Sequence, residues 1–184
     1  MYRKKYMKIF TDAISPELCE ELCKWAKTYI YGKEGHHLGF PNPVKTMTNA
    51  AWNDSIIKDS KPVIIYFVPD EIIVKIKEEL IKLDLITLNQ DLVAMVYVWT
   101  PGSYIPIHED GFADTNRKVF TAYLNQDWPI ENGGLLHYFS KDANEWKIVK
   151  PDQGLLVYND NNEQHYTTVS HEGHTRISLQ MFGY

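Results

Sequence analysis

The segment TPGSYIPIHED carries His108, Glu109 and Asp110, and far downstream His165 stands ahead of a tail reading HEGHTRISLQMF. In an extended backbone residues i and i+2 face the same way, so His108 and Asp110 can reach one ion while Glu109 points away. Two imidazoles and a carboxylate suit Fe(II), and as a three-point set they leave the other coordination positions open to an organic cosubstrate and dioxygen. The triplet alone is a short pattern that arises by chance, with both side chains simply solvated. It gains weight only if the chain also supplies a third ligand and a grip for the cosubstrate.

Arg176 and Ser178 supply such a grip. They are two residues apart on a strand-like run and therefore share a face. A guanidinium on a strand otherwise filled with Ile177, Leu179 and Met181 calls for an anionic partner, because an unpaired charge in an apolar interior is costly. Arginine holds a carboxylate through two parallel hydrogen bonds, and Ser178 can add a third donor. The competing reading is an arginine reaching solvent from an edge strand. His137 alternates within a strand and is either structural or pocket-lining. His36 and His37 fall in an early loop, where a solvated loop is favoured over a second metal site.

These residues need elements to position them. Ser15 and Pro16 open a helix, through capping by Ser and tolerance of Pro in the first turn. Leu18, Cys19, Leu22, Cys23, Trp25, Ala26, Tyr29 and Ile30 then follow helical spacing. The stretch 36–53, with Gly39, Pro41 and Pro43, reads as a long loop or a broken strand pair, and as a candidate substrate lid. Lys61 to Val68 is an apolar strand or the approach to a helix. After Pro69 and Asp70, the residues Ile72, Ile73, Ile76, Leu80 and Leu83 make one apolar helical face.

From Asp91 the character changes to β. The runs LVAMVYVW, KVFTAYLN, GGLLHYF, EWKIVKP, GLLVYN and TRISLQMF are rich in Val, Ile and aromatic residues and separated by turn residues. Helices first and many short strands afterwards predict an α+β chain with a sandwich or barrel core. At 184 residues one domain is expected, with 1–90 as helical support and lid loop and 91–184 as the β core.

Composition narrows the partners. Hydrophobic residues make up 44% and charged residues 23%, as in ordinary globular proteins, and no segment approaches the run of about 20 apolar residues that spans a bilayer. A membrane partner is not expected. The apolar stretch after the basic N-terminal residues is too short for a secretory signal. With a net charge of −5 a broad nucleic-acid surface is disfavoured. Cys19 and Cys23, four apart in a helix, read as small buried apolar groups, which fits a reducing, cytoplasmic setting.

The combination resembles the Fe(II)/2-oxoglutarate-dependent dioxygenase superfamily, and within it the prolyl hydroxylase branch. The residues that carry the resemblance run from Trp99 to Phe182: Pro101 and Gly102, His108 and Asp110, Arg117, TAYLNQDW from Thr121 to Trp128, Gly133 to Leu135, Pro151, Gly154, His165, and Arg176 with Ser178. The resemblance implies a double-stranded β-helix, a distorted cupin-like jelly roll with N-terminal helices packed on the major sheet. It implies His108, Asp110 and His165 as Fe(II) ligands, the first two from the second core strand and its following loop. It favours His165 over His171 and His174, which then lie on a solvated turn.

It further implies that Arg176 binds the distal carboxylate of 2-oxoglutarate with help from Ser178 and Tyr123. Tyr97, on the face of Trp99, would replace a tyrosine that relatives carry just before the Pro-Gly pair. The implied reaction uses Fe(II), 2-oxoglutarate and O2, with ascorbate as an accessory reductant. It releases succinate and CO2 while an unactivated carbon is hydroxylated. The favoured substrate is a prolyl residue of a protein or peptide; the alternatives are a free amino acid, small metabolite or nucleotide, or a cupin-like binding module without turnover.

Overall fold

A computed structural model describes residues 7–30, 63–109, 117–159, 163–171 and 173–184. The loop 36–53, with His36 and His37, lies outside the described residues. Among the described residues two α-helices and ten strands, with a one-turn 3-10 helix at Ile130–Asn132, follow in the order β1 (Met7–Phe10), α1 (Pro16–Ile30), β2 (Val63–Phe67), α2 (Asp70–Lys82), β3 (Leu92–Trp99), β4 (Ile105–His108), β5 (Lys118–Tyr123), β6 (Leu136–Ser140), β7 (Glu145–Val149), β8 (Leu156–Asn159), β9 (His165–Thr167) and β10 (Arg176–Gly183). The larger sheet runs β1-β8-β5-β10-β3-β2 and the smaller β4-β9-β6-β7. From β3 onward the chain passes repeatedly from one sheet to the other, so strands distant in sequence become neighbours. Every pairing is antiparallel.

The helices form where the apolar spacing predicts. On α1, Leu18, Cys19, Leu22 and Ala26 are buried, and on α2, Ile72, Ile76 and Leu80. Both faces join one core with Ala94, Val96 and Val98 of β3, Phe120 and Ala122 of β5, and Ile177, Leu179 and Met181 of β10. Full burial of each large aliphatic side chain contributes about 1.5–3 kcal/mol, so this layer fixes the larger sheet firmly. Cys19 and Cys23 are free thiols within it, and burial pushes their pKa values up to about 12 and about 11.

Strand alternation then decides what the other face holds. Because Ile177, Leu179 and Met181 face the helices, Arg176, Ser178, Gln180 and Phe182 face the smaller sheet. The arginine therefore does not sit among the three aliphatic residues that surround it in sequence. Lys61 to Val68, open to two readings, contains a strand: β2 adds to the edge of β3 in the register Val63↔Trp99 to Phe67↔Met95. The short strands β1 and β9 have no sequence signature, since runs of four and three residues carry too little pattern.

Candidate active site

Between the two sheets lies a cavity of about 230 Å³, lined on one side by Tyr97, Trp99, Tyr123, Arg176 and Gln180 and on the other by His108, His165, Leu136 and Thr167. Arg176 faces it from the first position of β10, and the two histidines from adjacent strands of the smaller sheet.

His108 ends β4 and His165 opens β9, and the two are register partners in the antiparallel ladder. Their ring centroids are 4.2 Å apart, inclined at 52°. Each ring is fixed the same way: His108 Nδ1 lies 2.9 Å from the Pro106 carbonyl, and His165 Nδ1 lies 2.8 Å from the Glu163 carbonyl. A carbonyl oxygen can only accept, so each Nδ1 carries a proton, and in the neutral ring the lone pair then resides on Nε2. Matched tautomers of this kind suit two imidazoles to one metal ion. His165, which follows the polar run NDNNEQ in sequence, is the first residue of a strand that pairs with both β4 and β6.

Asp110, the expected carboxylate ligand, lies outside the described residues. Among the described residues no three His, Cys, Asp or Glu side chains gather into a metal-sized cluster. Glu109, expected to point away, contributes to the cavity wall. The ladder is irregular between Ile105 and His108 and β4 stops at His108, so strict two-residue alternation does not carry past it.

Arg176 is 2% exposed. Its Nη1 donates to the Gly134 carbonyl at 2.6 Å, and the guanidinium carbon stacks 4.1 Å from the centre of the Trp99 ring. Its Nε has no hydrogen-bond partner, and no carboxylate of the described residues forms an ion pair with it. Burial pulls its pKa down to about 10, opposed by the neighbouring Tyr123 hydroxyl. Tyr123 is pushed up to about 12, also by burial, and stays protonated as a donor. A desolvated cation with an unsatisfied N–H beside a neutral hydroxyl is a fit for an anionic ligand such as a carboxylate.

The other predicted grip residues divide. Tyr97 lines the cavity. Ser178 is buried, and its Oγ accepts a 2.9 Å bond from Trp99 Nε1 while its own O–H remains a donor. Trp99, a residue sequence reasoning passed over, is thus both the plate beneath Arg176 and the partner of Ser178. Its register opposite Arg176 on the β3–β10 ladder is the signal that would have found it. His137 does not join the site; its Nδ1 is 3.0 Å from the Tyr166 hydroxyl and the two rings stack at 4.6 Å. His171 and His174 are exposed, as expected for a solvated turn.

Gly134 holds the arginine by having no side chain. At φ +65°, an added Cβ would stand 3.1 Å from both Arg176 Cδ and Ser170 Oγ. Gly134→Ala is expected to cost about 1–3 kcal/mol of stability, from backbone strain and crowding, and to weaken anion binding at Arg176 roughly tenfold. Thermal unfolding with and without 2-oxoglutarate checks both parts.

The model of the 2OG-Fe(II) oxygenase superfamily matches residues 93–184, half of the chain. No curated protein matches at a significant level. Among solved structures, a prolyl-4-hydroxylase from Pseudomonas putida is 19% identical, with 96% of this chain and 91% of that one covered at a TM-score of 0.63. A Trichoplax adhaerens prolyl hydroxylase in complex with a hypoxia inducible factor peptide fragment is 14% identical, covering 97% and 83%, with a TM-score of 0.67. The non-heme alpha ketoglutarate dependent epimerase SnoN of nogalamycin biosynthesis is 12% identical, covering 100% and 79%, with a TM-score of 0.63. At these identities the likeness speaks to fold: the two sheets are a double-stranded β-helix with helices on its larger sheet.

Proposed function

Because the chain belongs to the 2OG-Fe(II) oxygenase superfamily, we propose that the cavity between its sheets is the centre of an Fe(II)- and 2-oxoglutarate-dependent dioxygenase. In this reading His108, Asp110 and His165 hold the metal and Arg176 holds the distal carboxylate of 2-oxoglutarate. The observation that carries it is the pair of strand-matched imidazoles with lone pairs on Nε2, facing a cavity that also contains a buried arginine without a carboxylate partner among the described residues. Bound there, iron, 2-oxoglutarate and O2 supply oxidative decarboxylation to succinate and CO2 coupled to oxidation of a substrate carbon.

The protein's own part is positioning. Arg176 and protonated Tyr123 fix one end of the cosubstrate, Trp99 orients the guanidinium by stacking against it, and Ser178 holds Trp99. Tyr97 lines the same wall, while Val119, Leu136 and Val157 keep the cavity poor in water. Ascorbate would serve only to restore the ferrous state. The described residues contain no helix long and apolar enough to cross a membrane. The buried, protonated thiols support a reducing, cytoplasmic setting, and we read the chain as one catalytic unit.

Two readings of the substrate stand. The likeness to two prolyl hydroxylases, one with a peptide bound, supports a prolyl residue of a protein or peptide. The likeness of comparable strength to an epimerase of nogalamycin biosynthesis supports the wider alternative, a free amino acid, small metabolite or nucleotide, and the spread of neighbours favours it. Anaerobic addition of Fe(II) and 2-oxoglutarate should give a weak visible charge-transfer band, and admission of O2 with substrate should give succinate. A protein that binds both but forms no succinate with any peptide or metabolite pool is a binding module. A search for a +16 Da product in proline-bearing peptides against a metabolite extract separates the two substrate classes.

A further inference from the structure

Glu163 is a carboxylate 1% exposed to solvent, two residues ahead of His165. Burying a carboxylate costs several kcal/mol unless its oxygens are satisfied, and here both are met by main-chain donors. Oε2 accepts from Met7 N at 3.0 Å and Oε1 from Lys141 N at 3.2 Å. Met7 opens β1 at the edge of the larger sheet, and Lys141 follows β6 in the smaller one, so a single side chain ties the two sheets together beside the cavity. The Glu163 main chain is held as well: its N–H donates to Asn159 Oδ1 at 3.1 Å, and the next residue's carbonyl accepts from Phe139 N at 2.8 Å. Its own carbonyl accepts the Nδ1 proton of His165.

We propose that Glu163 is a positioning residue whose buried carboxylate clamp fixes its own carbonyl in place and so locks His165 in the Nε2-lone-pair tautomer and ring orientation. This rests on the reading of His165 as a metal ligand. The clamp needs a carboxylate. Two N–H groups converge on two acceptor oxygens, and an amide would turn one NH2 toward an N–H. His108 receives the same service from Pro106, whose fixed φ needs no side-chain anchor. His165 instead follows the polar run NDNNEQ in sequence, and the clamp supplies the rigidity that proline supplies on β4.

That symmetry provides the test, in the full-length metal-free protein. In the wild type, imidazole ¹H–¹⁵N spectra should show both His108 and His165 with protonated Nδ1. In Glu163→Gln the His165 signal should broaden or become a tautomer mixture while His108 is unchanged. Affinity for Co(II), used as the probe, should fall ten- to a hundredfold, the range for outer partners of metal-bound histidines. At saturating metal, 2-oxoglutarate affinity should stay within twofold. Glu163→Asp, which keeps both acceptors but withdraws them by one methylene, should fall between.

An unchanged His165 tautomer with unchanged Co(II) affinity overturns the proposal. So does equal disturbance of His108 and His165, or failure of both variants to fold, since each makes Glu163 a general structural tie. The underlying reading fails separately: His165→Ala would then bind Co(II) as tightly as the wild type, whatever Glu163→Gln does.

Discussion

Arg176→Met is expected to raise the KM for 2-oxoglutarate roughly 30-fold to several thousandfold while leaving the cosubstrate-free protein as stable as the wild type or more so. The first half follows from removing one partner of a buried charge pair, which costs about 2–5 kcal/mol. The second follows from the environment of the arginine before an anion arrives. It is 2% exposed, its Nε is unsatisfied, and its pKa is pulled down to about 10 by burial. Such a charge costs the free fold several kcal/mol, and methionine of similar length removes it, offset by about 1.5–3 kcal/mol for the lost charge-assisted bond to Gly134 and by the lost stacking on Trp99. Melting curves with and without 2-oxoglutarate separate the effects. The wild type should gain stability with ligand and the variant should not. A variant that melts far lower but keeps its KM would make Arg176 a structural residue and not an anion site.

His108→Ala and His165→Ala should each reduce succinate formation to background, and Asp110→Ala should do the same. Loss of an outer partner costs ten- to a hundredfold in metal-binding histidine sites, so loss of a ligand should exceed that. The informative controls are His171→Ala and His174→Ala. Both residues are exposed and close to His165 in sequence, and both variants should keep wild-type Fe(II) affinity and turnover. Loss of activity in either would move the third ligand away from β9. Succinate release measured alongside Co(II) titration distinguishes a lost ligand from a lost reaction step.

Much of this was legible from residue types and spacing. Two helical faces, at Leu18 to Ala26 and Ile72 to Leu80, showed themselves because a period near 3.6 sustained over several turns has few rivals. The strand runs did so because Val, Ile and aromatic residues cluster between turns. The environment of Arg176 did not. Its sequence neighbours are aliphatic, yet alternation sends them to the helices and leaves the guanidinium against Trp99, Tyr123 and Gly134 from three other segments. Ser178 read as a donor to ligand, and its Oγ also accepts from Trp99 Nε1 through a register that only the folded sheet creates. Glu163 was hidden in the polar run NDNNEQ, since a carboxylate in such company is usually solvated and nothing local announces donors from residues 7 and 141.

The ladder that joins β4 to β9 sets the distance between His108 and His165 with main-chain hydrogen bonds, and Pro106 and Glu163 set the rings. None of that scaffolding is donated by an ion. Chelation should therefore empty the centre without melting the domain, unlike small zinc modules whose folding energy is the metal. Apoprotein purified in a chelator should regain full occupancy on simple mixing, at a rate limited by encounter and not by refolding.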